Sequence, residues 1–129
     1  MKLNPDCIRD ILFEVENETS FDTVFNYDGD EPQKQLEKYS PNEVMYHIRQ
    51  ASLSDLITEP DYYYADYACS VGDLTPKGHE FINNIRQDTN WNTTKDVAKN
   101  IGSTSLRALI DISTGVISNL INQHLFPGQ

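Results

Sequence analysis

The chain is poor in the residues that most catalytic and membrane chemistries need. Among 129 residues it has two cysteines, three histidines and one tryptophan. Cys7 and Cys69 lie far apart with no histidine pair beside them, so they make no zinc motif. No Cys-x-x-Cys pair, glycine-rich phosphate loop or serine–histidine–acid spacing occurs. The cysteines read as two buried, reduced thiols, with a single disulfide as the alternative. No apolar run reaches the about 18 residues of a membrane span. Met1-Lys2-Leu3-Asn4-Pro5 lacks the apolar block of a secretory signal. The expectation is a soluble, cytoplasmic, non-enzymatic protein without cofactor or metal.

Positive charge is also scarce, and unevenly so. Ten bases stand against 20 acids, a net charge of −10. Residues 1–73 hold 16 acids and 5 bases, whereas residues 74–129 hold 4 acids and 5 bases. A chain so acidic repels phosphate backbones at long range. Nucleic-acid binding would need a local basic face, which the second half supplies best.

What is present reads as a mostly helical α+β protein. Asn4 caps and Pro5 opens a helix over 5–17, with Ile8, Ile11, Leu12 and Val15 on one side. Phe21, Val24, Phe25 and Tyr27 suggest a short strand, and Asp28 to Pro32 a turn. Gln33 to Tyr39 suits one helical turn or a second short strand. Ser40-Pro41-Asn42-Glu43 is a strong helix start for residues 41–52, with Val44, His47, Ile48 and Ala51 inward. A β-hairpin follows, with one strand near 55–59 and a return strand ending before Leu74. Thr75-Pro76 starts a helix that ends near Arg86 or Gln87. Asn90 or Thr93 caps the next, which stops at Gly102. Ser103 or Thr104 caps a last helix over 105–125. Length and pattern give one domain, 1–102, and an amphipathic helix segment, 103–129, packed on it or on a second subunit.

The order helix, short strand, helix, β-hairpin, helix is that of a winged helix. Two runs carry a closer resemblance. Tyr46-His47 in the helix before the hairpin, and Leu74-Thr75-Pro76-Lys77-Gly78-His79-Glu80-Phe81 after it, followed by Ile85-Arg86 and Trp91, stand in this sequence together. They resemble the hallmark of an uncharacterised family of bacterial and prophage proteins, domain of unknown function 2513, over about residues 3–100. The resemblance implies a winged-helix fold and a phage or mobile-element setting, and it implies no activity. One departure stands out. Where a helix-turn-helix has a short helix before its recognition helix, this chain has the charged, glutamine-rich stretch Asp30 to Tyr39.

Gly78-His79-Glu80 begins like a zinc-protease helix, but four residues after His79 stands Asn83, so the motif fails. The plainer reading is that Gly78 lets its helix pack closely on the hairpin and His79 holds a fixed hydrogen bond. His47 with His79 and Glu80 or Cys69 is the metal alternative, which spacing alone does not bring together. Asp28, Asp30 and Glu31 resemble a calcium loop, but the twelfth position is Tyr39, so that reading fails too.

Two surfaces remain. Tyr62, Tyr63, Tyr64 and Tyr67 sit among Glu59, Asp61, Asp66 and Asp73. Alternation places Tyr62 and Tyr64 on one face and Tyr63 on the other. This is half-buried hairpin packing, or a protein-contact surface of Tyr62, Tyr64, Asp66 and Tyr67. The second surface is the outer side of helix 41–52, with Asn42, Met45, Tyr46, Arg49 and Gln50. As a recognition helix it would read bases through Asn42, Tyr46, Arg49 and Gln50, with Lys95 among the phosphate contacts. The last helix is a candidate for homodimerisation through Leu109, Val116 and Leu120. The leading expectation is a prophage-type accessory or regulatory protein that binds a protein partner. The alternative is a DNA-binding transcriptional regulator with helix 41–52 in the major groove.

Overall fold

A computed structural model describes residues 1–128. The protein is α+β and mostly helical, with five helices, one three-stranded sheet and two 3-10 turns among the described residues. It divides into two compact units, Met1–His79 and the chain from Glu80 onward. The division falls inside a helix rather than at Gly102, because the last two long helices pack on each other.

In the first unit, α1 spans Pro5–Glu18. The Asn4 side chain accepts from the backbone N–H groups of Asp6 and Cys7, which would otherwise be orphaned at the helix start. Cys7, Ile8, Ile11, Leu12 and Val15 make its buried stripe. Strand β1 is Phe25–Asp28, with Phe25 and Tyr27 inward and Asn26 and Asp28 outward. Phe21 and Val24 lie outside it and are exposed. A single 3-10 turn, Lys34–Leu36, follows, and only Leu36 of it is buried.

Helix α2 spans Pro41–Leu53 and buries Val44, His47, Ile48 and Ala51. It ends at Asp55, which takes the left-handed conformation (φ 60°). There the N–H of Asp55 donates to the Ser52 carbonyl and that of Leu56 to the Ala51 carbonyl. This pairing satisfies the last helical carbonyls, with aspartate where glycine is usual.

The hairpin differs from the expected one. Its strands are β2, Asp61–Tyr63, and β3, Ala68–Val71. Residues 55–59 contribute only an isolated bridge from Ile57 to Leu74. Pro60 interrupts the run there, since proline has no N–H to give to a ladder. Strand β3 is central: it pairs antiparallel with β1 on one side and β2 on the other, in the order β1-β3-β2.

Helix α3 is Pro76–Asn84, shorter than expected. Helix α4, Asp88–Ile101, begins before both of its expected caps, with Gln87 as cap. The early start brings Trp91 into register with Thr94 and Ala98 on the buried side. The Thr93 hydroxyl bonds back to the Thr89 carbonyl, so it caps nothing. Helix α5, Leu106–Leu125, is capped by Ser105, whose side chain accepts from the Ala108 N–H, and not by Ser103 or Thr104. Its buried residues are Leu106, Leu109 and Ser113. No helix among the described residues is long and apolar enough to cross a membrane.

Candidate functional site

The candidate site lies in the first unit, between the outer side of α2 and the hairpin. The Ser40 side chain accepts from the Glu43 N–H at 3.1 Å and sets where α2 begins. Burial of Val44, His47, Ile48 and Ala51 then fixes the rotation of the helix. Asn42, Met45, Tyr46 and Arg49, at helical spacing, are left on the opposite side.

His47 holds the helix in place. The Asn4 N–H donates to its Nε2 at 2.7 Å, and its Nδ1 donates to the Glu43 carbonyl at 2.7 Å. Asn4 thus caps α1 with its side chain and ties α1 to α2 with its backbone. Tyr46 meets the His47 ring edge-on, with centroids 5.3 Å apart.

The hairpin supplies the other wall. A 3-10 turn, Tyr64–Asp66, links its strands, and Tyr67 closes it in the left-handed region (φ 48°, ψ 51°). A tyrosine there costs about 1–2 kcal/mol. The Gly29 N–H donates to the Tyr67 carbonyl at 2.9 Å and helps hold the turn. A Cβ on Gly29 would lie 2.9 Å from Pro41 Cβ and 3.1 Å from Tyr67 Cβ. Glycine at this position therefore lets the β1 turn, the start of α2 and the hairpin tip meet.

Tyr62 and Tyr64 stack, with centroids 5.3 Å apart and planes at 24°. They and Tyr67 face Asn42, Met45, Tyr46 and Arg49 across a concavity of about 240 Å³. That is below the roughly 300–1,000 Å³ of small-molecule sites and suits a side chain or two. The Arg49 guanidinium lies 5.7 Å from the Tyr46 ring centroid. Burial pushes the Tyr62 phenol above its ordinary value; Cys69, Tyr64 and Glu59 add to this and Arg49 opposes it. The phenol stays protonated at neutral pH and can donate a hydrogen bond.

The two surfaces read from the sequence as alternatives thus share one cleft. Asn42, Tyr46, Arg49, Tyr62, Tyr64 and Tyr67 all line it; Gln50 and Asp66 do not. Met45, expected only on the outer side of the helix, joins them. Lys95 belongs to α4 in the other unit, with its ammonium 5.3 Å from the Trp91 ring centroid.

The remaining candidates resolve differently. Both ring nitrogens of buried His47 are engaged by backbone, which leaves none for a metal. His79 is exposed, and its Nε2 stands 3.9 Å from Asp73, beyond hydrogen-bond length. Among the described residues the His79 side chain makes no fixed hydrogen bond of the kind expected. Gly78 does serve close packing, but against the backbone of Leu56, where an added Cβ would lie 1.9 Å from the carbonyl oxygen. No group of three metal-ligating side chains occurs among the described residues. Cys7 and Cys69 are free and buried, and burial pushes each thiol up to about 12, so neither is a nucleophile at neutral pH. Leu109 is fully buried and so is closed to a dimer contact; Val116 is half-buried and Leu120 exposed.

These features define a mostly helical α+β protein with an aromatic, arginine-bearing cleft between a helix and a hairpin. The chain belongs to the family described as Hypothetical protein (DUF2513), whose model matches residues 2–105. It is also similar to an uncharacterized protein of Haemophilus influenzae, 31% identical over 126 residues, which cover 97% of this chain and 99% of that protein. No solved structure matches the chain.

Proposed function

We propose that this is a non-enzymatic accessory or regulatory protein that works by binding a protein partner in the cleft between α2 and the hairpin. The observation that carries the reading is the composition of the cleft: four tyrosines, an arginine and a methionine among seven lining residues. Tyrosine and arginine dominate binding hot spots, and methionine adapts to irregular partners. Sixteen acids within residues 1–73 favour a partner with a neutral or basic surface. The order α1, β1, α2, β2, β3 with strand order β1-β3-β2 supports a winged-helix-like unit, with the hairpin as wing. A cytoplasmic, prophage-type setting belongs to the same proposal.

A second reading, DNA binding, is favoured by Asn42, Tyr46 and Arg49 on the outer side of α2. Two observations weigh against it. The helix that should precede a recognition helix is reduced to the 3-10 turn Lys34–Leu36. Arg49 is also the single base lining the cleft, and phosphate contacts usually need several.

The test has two arms. Fluorescence anisotropy with random-sequence duplex DNA, across a salt series, is expected to show no binding even at low salt. A photoreactive residue at Met45, in the native host, is expected to capture a protein, and Tyr62→Ala or Tyr64→Ala to abolish the capture. Salt-steep DNA binding in the roughly 10⁻⁴–10⁻⁶ M range at physiological salt, weakened by Arg49→Ala and Lys95→Glu, overturns the proposal for the DNA reading.

A further inference from the structure

A different part of the chain carries an inference independent of the cleft. In a protein of net charge −10, residues 112–129 contain no Asp, Glu, Lys or Arg. The first part of α5 is used inside its own unit, where Leu106, Leu109 and Ser113 are buried and the helix packs on α4. Beyond it, Ile117, Leu120, Ile121, His124 and Leu125 line an apolar groove. Their i, i+3, i+4, i+7, i+8 spacing makes one continuous stripe. Leu120, Ile121, Leu125 and Phe126 are 41%, 51%, 63% and 55% exposed. Among the described residues they stay open, and isolated apolar residues at a surface are common where a contiguous stripe is not.

We propose that the stripe pairs with the same stripe of a second copy, the two α5 ends lying antiparallel about a two-fold axis near Leu120 and Ile121. Charge selects this occupant. Two copies, each of net charge −10, repel at most of their surface, and burying unpaired carboxylates is costly. The charge-free end of α5 is where they touch without either penalty. Ser118 flanks it, while Asn119, Asn122 and Gln123 lie toward the far side of the helix, all of them exposed. A lipid surface fits less well, because interfacial helices carry lysine or arginine and this segment has none. Two such stripes with their polar rim bury on the order of 1,000 Å², the lower end for a specific interface. An interface at that lower end is weak enough for the balance of monomer and dimer to shift with concentration. Added salt screens the repulsion between copies and tightens the dimer.

The experiment is sedimentation equilibrium of the full chain, from low micromolar to several hundred micromolar, at low and high salt. A monomer–dimer equilibrium that tightens with salt is expected. Leu120→Glu and Leu120→Lys should each weaken it by at least about tenfold, since like charges then meet at the axis. Their equimolar mixture should restore the dimer, because opposite charges meet there. Far-UV circular dichroism unchanged in both variants separates this result from misfolding. A parent chain monomeric throughout overturns the proposal. A dimer indifferent to both substitutions overturns it as well. So does a monomeric chain that binds phosphatidylcholine vesicles through Leu120, which would assign the stripe to a membrane surface.

Discussion

Alanine at Gly78 and alanine at Gly115 should move stability in opposite directions, although both glycines lie inside helices. At Gly78 the new Cβ would sit 1.9 Å from the Leu56 carbonyl oxygen and 2.9 Å from its carbon. Carbon–oxygen contacts normally begin near 3.3 Å, so the two backbones must part by about 1.4 Å. The obstacle is main chain, so no side-chain rotation relieves it. Overpacking of this kind costs about 1–3 kcal/mol, and the obstructed site takes the upper end. The Thr75 N–H donates to the same Leu56 oxygen at 3.0 Å, and parting the backbones loses that bond too. The bond is worth about 1 kcal/mol, which roughly cancels the helix-propensity gain of Gly→Ala. The net expectation is about 3 kcal/mol of destabilisation. At Gly115 an added Cβ meets nothing within 4 Å, so only the propensity gain of about 1 kcal/mol remains. At roughly 4 °C per kcal/mol for this size, Gly78→Ala should lower Tm by about 12 °C and Gly115→Ala raise it by about 4 °C. Far-UV circular dichroism melts of the two variants and the parent measure both shifts. A Gly78→Ala protein that melts at or above the parent would refute the close-approach argument.

Further substitutions and a pH series probe the first unit. His47→Ala leaves the Asn4 N–H and the Glu43 carbonyl without their partner and opens a cavity; it should cost about 3–4 kcal/mol in a urea titration. The buried Tyr27 hydroxyl has no hydrogen-bond partner, whereas the Tyr39 hydroxyl donates to Asp10 at 2.6 Å. Tyr27→Phe should leave the urea midpoint unchanged or raise stability by up to about 1 kcal/mol, and Tyr39→Phe should lower it by a similar amount; the reverse order would contradict the assignment. Burial raises the Cys7 and Cys69 thiols from 9.0, and the Tyr27 phenol from 10.0, to about 12 each. The folded state then holds more protons than the unfolded one between about pH 9 and 12. Stability should be full below that window and fall as pH rises through it, by up to about 1.4 kcal/mol per unit per group. Urea midpoints at increasing alkaline pH, with the Cys7→Ala/Cys69→Ala double variant flattening the fall, check the sign; a flat profile in the parent would contradict it.

The helices were legible because their signals are local. Asn4-Pro5 and Ser40-Pro41-Asn42-Glu43 satisfy orphaned N–H groups within one turn, and the observed α1 and α2 follow them. The starts of α4 and α5 were less legible. Several polar residues near each start are acceptable caps, and burial of Trp91 and Leu106 decided among them. The first hairpin strand was misplaced because Leu56 and Ile57 are apolar, yet they serve the end of α2 and an isolated bridge.

By itself the sequence determined the caps of α1 and α2, the 3.6-residue stripes, the acidic first half and the charge-free end, since each depends on residues close in the chain or on composition alone. Only the tertiary structure decided that Asn42, Tyr46 and Arg49 share a cleft with Tyr62, Tyr64 and Tyr67. It also decided that His47 ties α1 to α2 through Asn4, 43 positions away, and that Gly78 lies against Leu56. Such contacts carry no local signature. They arise when helices and strands formed by local rules bury their apolar faces together, and close packing leaves few ways to do so.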